Sequence, residues 1–250
     1  SLPATISTQG VWCLDKNLGT AITSGNAITI ATNNVTIDCN DFKIGGLAAG
    51  NGSLANGIHA ESRQNATVRN CNIRGFYSGI HLEGDDGAGH LVEDNRLDNN
   101  LSSGIFIAGD NNRVRRNAVF DTGGLAGSSS SRGISGYADF VDNKVSGLFA
   151  DTAGGTLHGI RSYAPGARID GNTVTGFDMS ATGGGSVGKA IGIDVTGSRT
   201  RVSANQVIGD GTNGHGVRVH NTALAYCLHN TVGGFATSIH ANCASSGNMT

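Results

Sequence analysis

Arg161, Asp194 and Arg218 share one sequence context: each follows an apolar residue that itself follows a glycine, in Gly159-Ile160-Arg161, Gly192-Ile193-Asp194 and Gly216-Val217-Arg218. Two residues beyond them come Tyr163, Thr196 and His220. Two guanidiniums around a carboxylate, with a phenol and an imidazole alongside, can neutralise an anionic substrate and move a proton. The cation stabilises developing charge, and His or Tyr serves as base or acid. The same context supplies His81 and Phe106, Tyr137 stands two residues beyond Ser135 as Tyr163 does beyond Arg161, and His158 and His215 stand immediately before their glycines. The expected catalytic set is therefore Arg161, Arg218, His220, Tyr163 and Asp194. Tyr137, His158, His215, Phe106 and His81 are the expected substrate-binding set.

Such residues can act together only if the chain brings them together, and two interleaved ladders predict that it does. One ladder is Gly57-Ile58, Gly79-Ile80, Gly104-Ile105, Gly133-Ile134, Gly159-Ile160, Gly192-Ile193, Gly216-Val217 and Ser238-Ile239, each opening a short run with period-two alternation. The other places Asn three residues after an apolar residue, at Asn95, Asn117, Asn143, Asn172, Asn205 and Asn230. Upstream it includes Asn40, and Cys71 takes the same slot. Alternation means strand, and recurrence every 20 to 35 residues or so means stacked units sharing one core. The expected fold is all-β, a single-stranded parallel β-helix of about eight to nine coils. Asn suits its slot because it tolerates a left-handed bend and because its amide bonds the same amide on the next coil.

The whole chain, 1–250, is expected to form one solenoid, with residues 1–34 as an entry coil in which Trp12 lies over the end of the core. The spacing from Asn slot to glycine varies most, so insertions 44–56, 121–132, 147–158 and 176–190 are expected on one edge, as a rim beside the glycine strands. Within those strands Ile points inward and the next residue outward. Arg161 and Arg218 should then stand about 10 Å apart across Asp194, on rungs about 4.8 Å apart. A solvated ladder of this kind contributes under about 1 kcal/mol per pair, so truncating either arginine should leave stability nearly unchanged.

Forty Gly, two Pro and 5% aromatic residues suit a narrow, tightly turning coil. A net charge of -2 without a basic run excludes a nucleic-acid footprint, and no apolar run reaches membrane-spanning length. Ladder position predicts disulfides Cys13 to Cys39 and Cys227 to Cys243, leaving Cys71 free, at the ends of a solenoid where bridges resist fraying. No cofactor is expected. Calcium held by Glu61, Glu83, Asp85 and Asp86 is the weaker reading of that acidic group. The opening Ser1-Leu2-Pro3 fits a mature or trimmed chain.

The coil Asn65-Ala66-Thr67-Val68-Arg69-Asn70-Cys71-Asn72-Ile73-Arg74-Gly75-Phe76, repeated along the chain, resembles the right-handed parallel β-helix repeats of the pectate-lyase-like superfamily. The stretches Gly10 to Leu14 and Asn34 to Asn40 resemble the first coils of exported bacterial β-helix proteins. That superfamily includes polysaccharide lyases, polygalacturonases, alginate epimerases, phage tailspikes and noncatalytic members. Asp85-Asp86 and Gly214-His215-Gly216 match two polygalacturonase motifs in type but lie far apart, and the other motifs of that family are missing. The resemblance implies an acidic polysaccharide as partner, a secreted or periplasmic bacterial location, and a monomer or homo-trimer. The expected function is binding of that polysaccharide with cleavage by β-elimination. Its rival is a noncatalytic glycan-binding or cell-surface module.

Overall fold

The computed structural model describes residues 1–84, 87–220 and 223–250. It is a parallel β-helix of about nine turns. Each coil contributes three short strands, and three apolar columns run through the interior. The glycine strands stack Ile28, Ile58, Ile80, Ile105, Ile134, Ile160, Ile193, Val217 and Ile239 in register. The middle strands stack Ile37, Val68, Val92, Val114, Phe140, Ile169, Val202 and Cys227. The third strands stack Ile44, Ile73, Leu97, Val119, Val145, Val174, Val207 and Val232. Apart from Ile28, Val232 and the end-coil Ile239, these side chains are 0–1% exposed. Each removes apolar surface from water, for roughly 1.5–3 kcal/mol per large side chain, and all rungs but those of Leu97, Phe140 and Cys227 carry β-branched Ile or Val.

The corner between middle and third strands is held by an amide column. Asn95, Asn117, Asn143, Asn172, Asn205 and Asn230 each donate Nδ2–H to Oδ1 of the next, ending on Asn248, at 2.9–3.0 Å. The same oxygens accept the backbone N–H of the Asn one coil before, and Cys71 donates its N–H to Asn95. The left-handed bend does not fall on these Asn. It falls one residue earlier, on Asp94, Arg116, Asp142, Ala204 and His229. Asn is present for its side-chain amide, which both donates and accepts along the stack.

The column stops at Cys71, and Asn40 lies outside it: Asn40 is exposed, has φ 47°, and donates to the carbonyl of Leu14. A buried Cys39 faces Cys71 instead, and the two form a disulfide. The expected Cys13 to Cys39 bridge is thus corrected, because Cys39 turns inward toward the following coil while Cys13 is exposed and free. Cys227 pairs with Cys243 as expected. Two disulfides fit an oxidising, extracellular or periplasmic compartment. No helix among the described residues is long and apolar enough to cross a membrane. Trp12 pairs with Ile37 on the first coil and is 43% exposed.

Insertions leave the edge between third strands and glycine strands, and two of them pair with each other through Leu148–Ala150 and Phe177–Ala181. The glycine strands begin earlier than the spacing suggested, at Ser131, Thr156 and Lys189, so Arg132 and His158 belong to the sheet and not to the insertions. Length also varies at the opposite corner. Four residues, 108–111, separate paired positions in one coil where only Tyr137 separates them in the next, and six residues, 163–168, stand where that coil has three. This short corner leaves a notch of about 650 Å³ with Tyr137, Ala138 and Asp139 between the walls Gly109 to Asn111 and Ala164 to Gly166.

Candidate functional site

The glycine before each Ile decides which side chains reach the outer face. A Cβ on Gly159 would come 2.3 Å from Val174 Cγ1 and 2.4 Å from the carbonyl oxygen of Gly192; on Gly192 the distances are 2.1 Å to Val207 and 2.6 Å to Gly216 O. Glycine and Ile therefore both present to the interior, where only hydrogen fits at the first position. The alternation slips by one, and the residue before the glycine returns to the outside. That slip creates a second outward row, Ser103, Arg132, His158, Ile191, His215 and Thr237, in register beside His59, His81, Phe106, Ser135, Arg161, Asp194 and Arg218.

At the meeting of these rows Asp194 is 0% exposed. Arg218 closes on it as a fork, Nε to Oδ1 and Nη2 to Oδ2, both at 2.8 Å. Arg161 Nε lies 3.1 Å from Oδ2, His158 Nε2 3.3 Å from Oδ2, and His220 Nε2 3.2 Å from Oδ1. Burial by itself would raise the Asp194 pKa. Hydrogen bonds from His158 and Arg218, with the charge of Arg218, outweigh it and hold the carboxylate well below the ordinary range. His158 moves down, first because burial penalises its cation and then through the charges of Arg161 and Arg132, against the pull of Asp194. His215 also moves down through burial and the charge of Arg218. At neutral pH the centre holds one carboxylate, the guanidiniums of Arg132, Arg161 and Arg218, and a neutral His158.

Beside this centre Tyr163 carries the Arg161 guanidinium 5.2 Å from its ring centroid and meets the Tyr137 ring at 5.4 Å. Tyr137, 43% exposed, links the face to the notch. His215 stands in the row beyond Ile191, against His240 at 5.9 Å. The structure thus brings Arg161, Arg218, His158, His220 and Asp194 into contact, with Tyr163, Tyr137 and His215 around them. His81 and Phe106 lie elsewhere, toward the first coils. There Glu83 receives His59 Nε2 at 3.1 Å and lies 2.9 Å from His81 Nε2, and His81 stacks on Phe106 at 4.8 Å. Burial raises the Glu83 pKa, and the two imidazole hydrogen bonds more than reverse it.

One expectation changes. Asp194 is not part of a solvated ladder, so removing an arginine from it uncovers a buried charge, and the near-neutral cost expected for Arg161→Ala and Arg218→Ala does not hold. Of the acidic group weighed for calcium, Glu83 is engaged by two histidines, Glu61 is exposed, and Asp85 and Asp86 lie outside the described residues. Among the described residues no group of His, Cys, Asp and Glu is arranged to hold a metal. The residue that sequence reasoning missed is Arg132. Its signal was its place before Gly133, the same place that His158 and His215 hold before theirs.

Comparison with family models gives two overlapping matches to the right-handed beta helix region, over residues 14–159 and 56–250. The chain belongs to the right-handed β-helix family. Among solved structures this β-helix is similar to the A-module of Azotobacter vinelandii mannuronan C-5 epimerase AlgE6, at 16% identity over 98% of this chain and 82% of that one, with a TM-score of 0.47. The AlgE4 A-module of the same organism gives 13% identity, 97% and 83% coverage, and 0.45. The catalytic domain of a GH87 alpha-1,3-glucanase in complex with nigerose gives 14%, 96% and 63%, and 0.30. No curated protein matches the β-helix. Likenesses at this level assign no activity.

Proposed function

We propose that the outer face of the glycine strands binds an acidic polysaccharide and that the Asp194 centre cleaves it by β-elimination. The observation that carries this reading is the wholly buried Asp194 carboxylate, held by two guanidiniums and two imidazoles, with a third guanidinium nearby. Positive charge in excess at the edge of a low-dielectric sheet attracts anions, and the adjoining Tyr137 and Tyr163 rings offer surfaces for the C–H faces of sugars. Both arginines and both histidines are positioned by Asp194, which is out of reach of any ligand and is a positioning group.

In the proposed step, Arg161 lies against the uronate carboxylate and raises the acidity of the carbon beside it. His220, whose Nε2–H is oriented by Asp194, keeps Nδ1 as acceptor and takes the proton from that carbon. The electron pair forms the new carbon–carbon double bond as the glycosidic carbon–oxygen bond breaks. The departing oxygen takes its proton from the Tyr163 phenol. The two disulfides support export of such a protein to an oxidising compartment.

Incubation with a panel of uronate polymers tests this, since the unsaturated product absorbs in the near ultraviolet. Absorbance that develops with wild type and is lost in His220→Gln supports elimination. Binding without absorbance is the second reading. It is favoured by the Arg218 fork, which is already closed on Asp194. Wild type that neither binds nor cleaves any of the polymers sinks both.

A further inference from the structure

The guanidiniums of the centre are not equally free. Arg218 commits Nε and Nη2 to Asp194. Arg161 lies 3.1 Å from the same carboxylate and over the Tyr163 ring. Arg132, one rung before His158, is half-buried, yet no carboxylate among the described residues lies within ion-pair distance of it, and its covered Nε has no acceptor there. Its charge reaches His158 and lowers that imidazole's affinity for a proton. Three residues on, Ser135 is 1% exposed and its Oγ also has no partner among the described residues. Ser135 stands between Phe106 and Arg161 in the outer row.

A half-buried cation without a counter-charge is unfavourable, and it is tolerated where a ligand supplies the missing anion. We infer that Arg132 is a carboxylate subsite that seats a second uronate of a polymer bound across the Asp194 centre and makes the face select acidic over neutral sugars. This rests on the polysaccharide reading above. Arg132 lies one rung, about 4.8 Å, before His158 and two rungs before the coil of Asp194, three residues earlier along the strand than the row of Arg161.

The test uses polygalacturonate, polymannuronate and a glucuronate polymer, each beside its carboxyl-reduced neutral form, with affinity read by calorimetry or gel retardation. Wild type should prefer an acidic polymer to its reduced form by about tenfold or more, the size of one charge-assisted contact. Arg132→Gln should erase that preference by weakening the acidic polymer alone, Arg132→Lys should restore part of it, and neither should lower the melting temperature, since Arg132 has no partner to lose. The assignment is overturned if Arg132→Gln weakens both forms alike or neither. If wild type discriminates and only Arg161→Ala removes the preference, the polysaccharide reading stands and Arg132 falls. If wild type binds no form of any polymer, both fall together.

Discussion

Arg218 and Asp194 meet as a two-point fork, Nε on Oδ1 and Nη2 on Oδ2, from adjacent rungs of one sheet. The pairing holds because the backbone register puts the two α-carbons side by side and burial removes competing water. Everything else at the centre is arranged around the carboxylate so fixed.

Asp194→Asn leaves the guanidiniums of Arg161 and Arg218 together without an anion. Breaking a buried pair on one side costs roughly 3–5 kcal/mol, and urea unfolding at neutral pH should show a loss of that order. In wild type the folded pKa of Asp194 is depressed, so its contribution is present above the unfolded value near 3.9 and is lost as pH falls below it. The variant should lack this part of the acid dependence. A variant as stable as wild type at pH 7 would show that Asp194 does not organise the cluster.

His90 gives a second pH signature at a different place. It is 1% exposed, its Nδ1 accepts the N–H of Ala66, and burial pushes its pKa down to about 4. Because the unfolded imidazole binds a proton near pH 6.5, stability falls as pH drops from about 6.5 to about 4, by about 3 kcal/mol in all. The His90 ring resonances in NMR should remain those of a neutral imidazole down to about pH 4. Titration near 6.5 in the folded protein would contradict this.

Asn143→Leu removes a link from the amide column. Asn143 donates to Asn172 and to the carbonyl of Val114, and accepts from the backbone and side chain of Asn117. At about 1–3 kcal/mol for each buried group left unsatisfied, the loss should be at least about 3 kcal/mol. Chemical denaturation measures it, and a change under about 1 kcal/mol would refute a structural role for the column.

Gly192→Ala places a methyl where Val207 and the Gly216 carbonyl already stand. Overpacking there should cost about 1–3 kcal/mol and shift the rung that carries Asp194, lowering ligand affinity as well as stability. An unaffected melting temperature would mean that the glycine column is not sterically required.

Cys13 is exposed, and the other four cysteines are paired. Alkylation of the native, unreduced protein followed by mass spectrometry should mark Cys13 and no other cysteine. Label on Cys71 would restore the pairing expected from ladder position.

The repeat made the β-helix legible without coordinates. Ile160, Ile193 and Val217 recur with their glycines because an interior column needs an apolar residue on every rung, and a column leaves a period in the sequence. The same period put Arg161, Asp194 and Arg218 on one row. What the period could not carry is any event that breaks alternation or alters a corner. The slip at glycine returned Arg132 and His158 to the outer face, the inward turn of Cys39 gave it to Cys71, and the short corner at Tyr137 opened the notch. Each depends on which atoms already occupy the space ahead of a side chain, and that occupancy comes from the neighbouring coil. The chain's own spacing thus determined the stack, while contact between coils decided that Asp194 is sealed from water and which groups close around it.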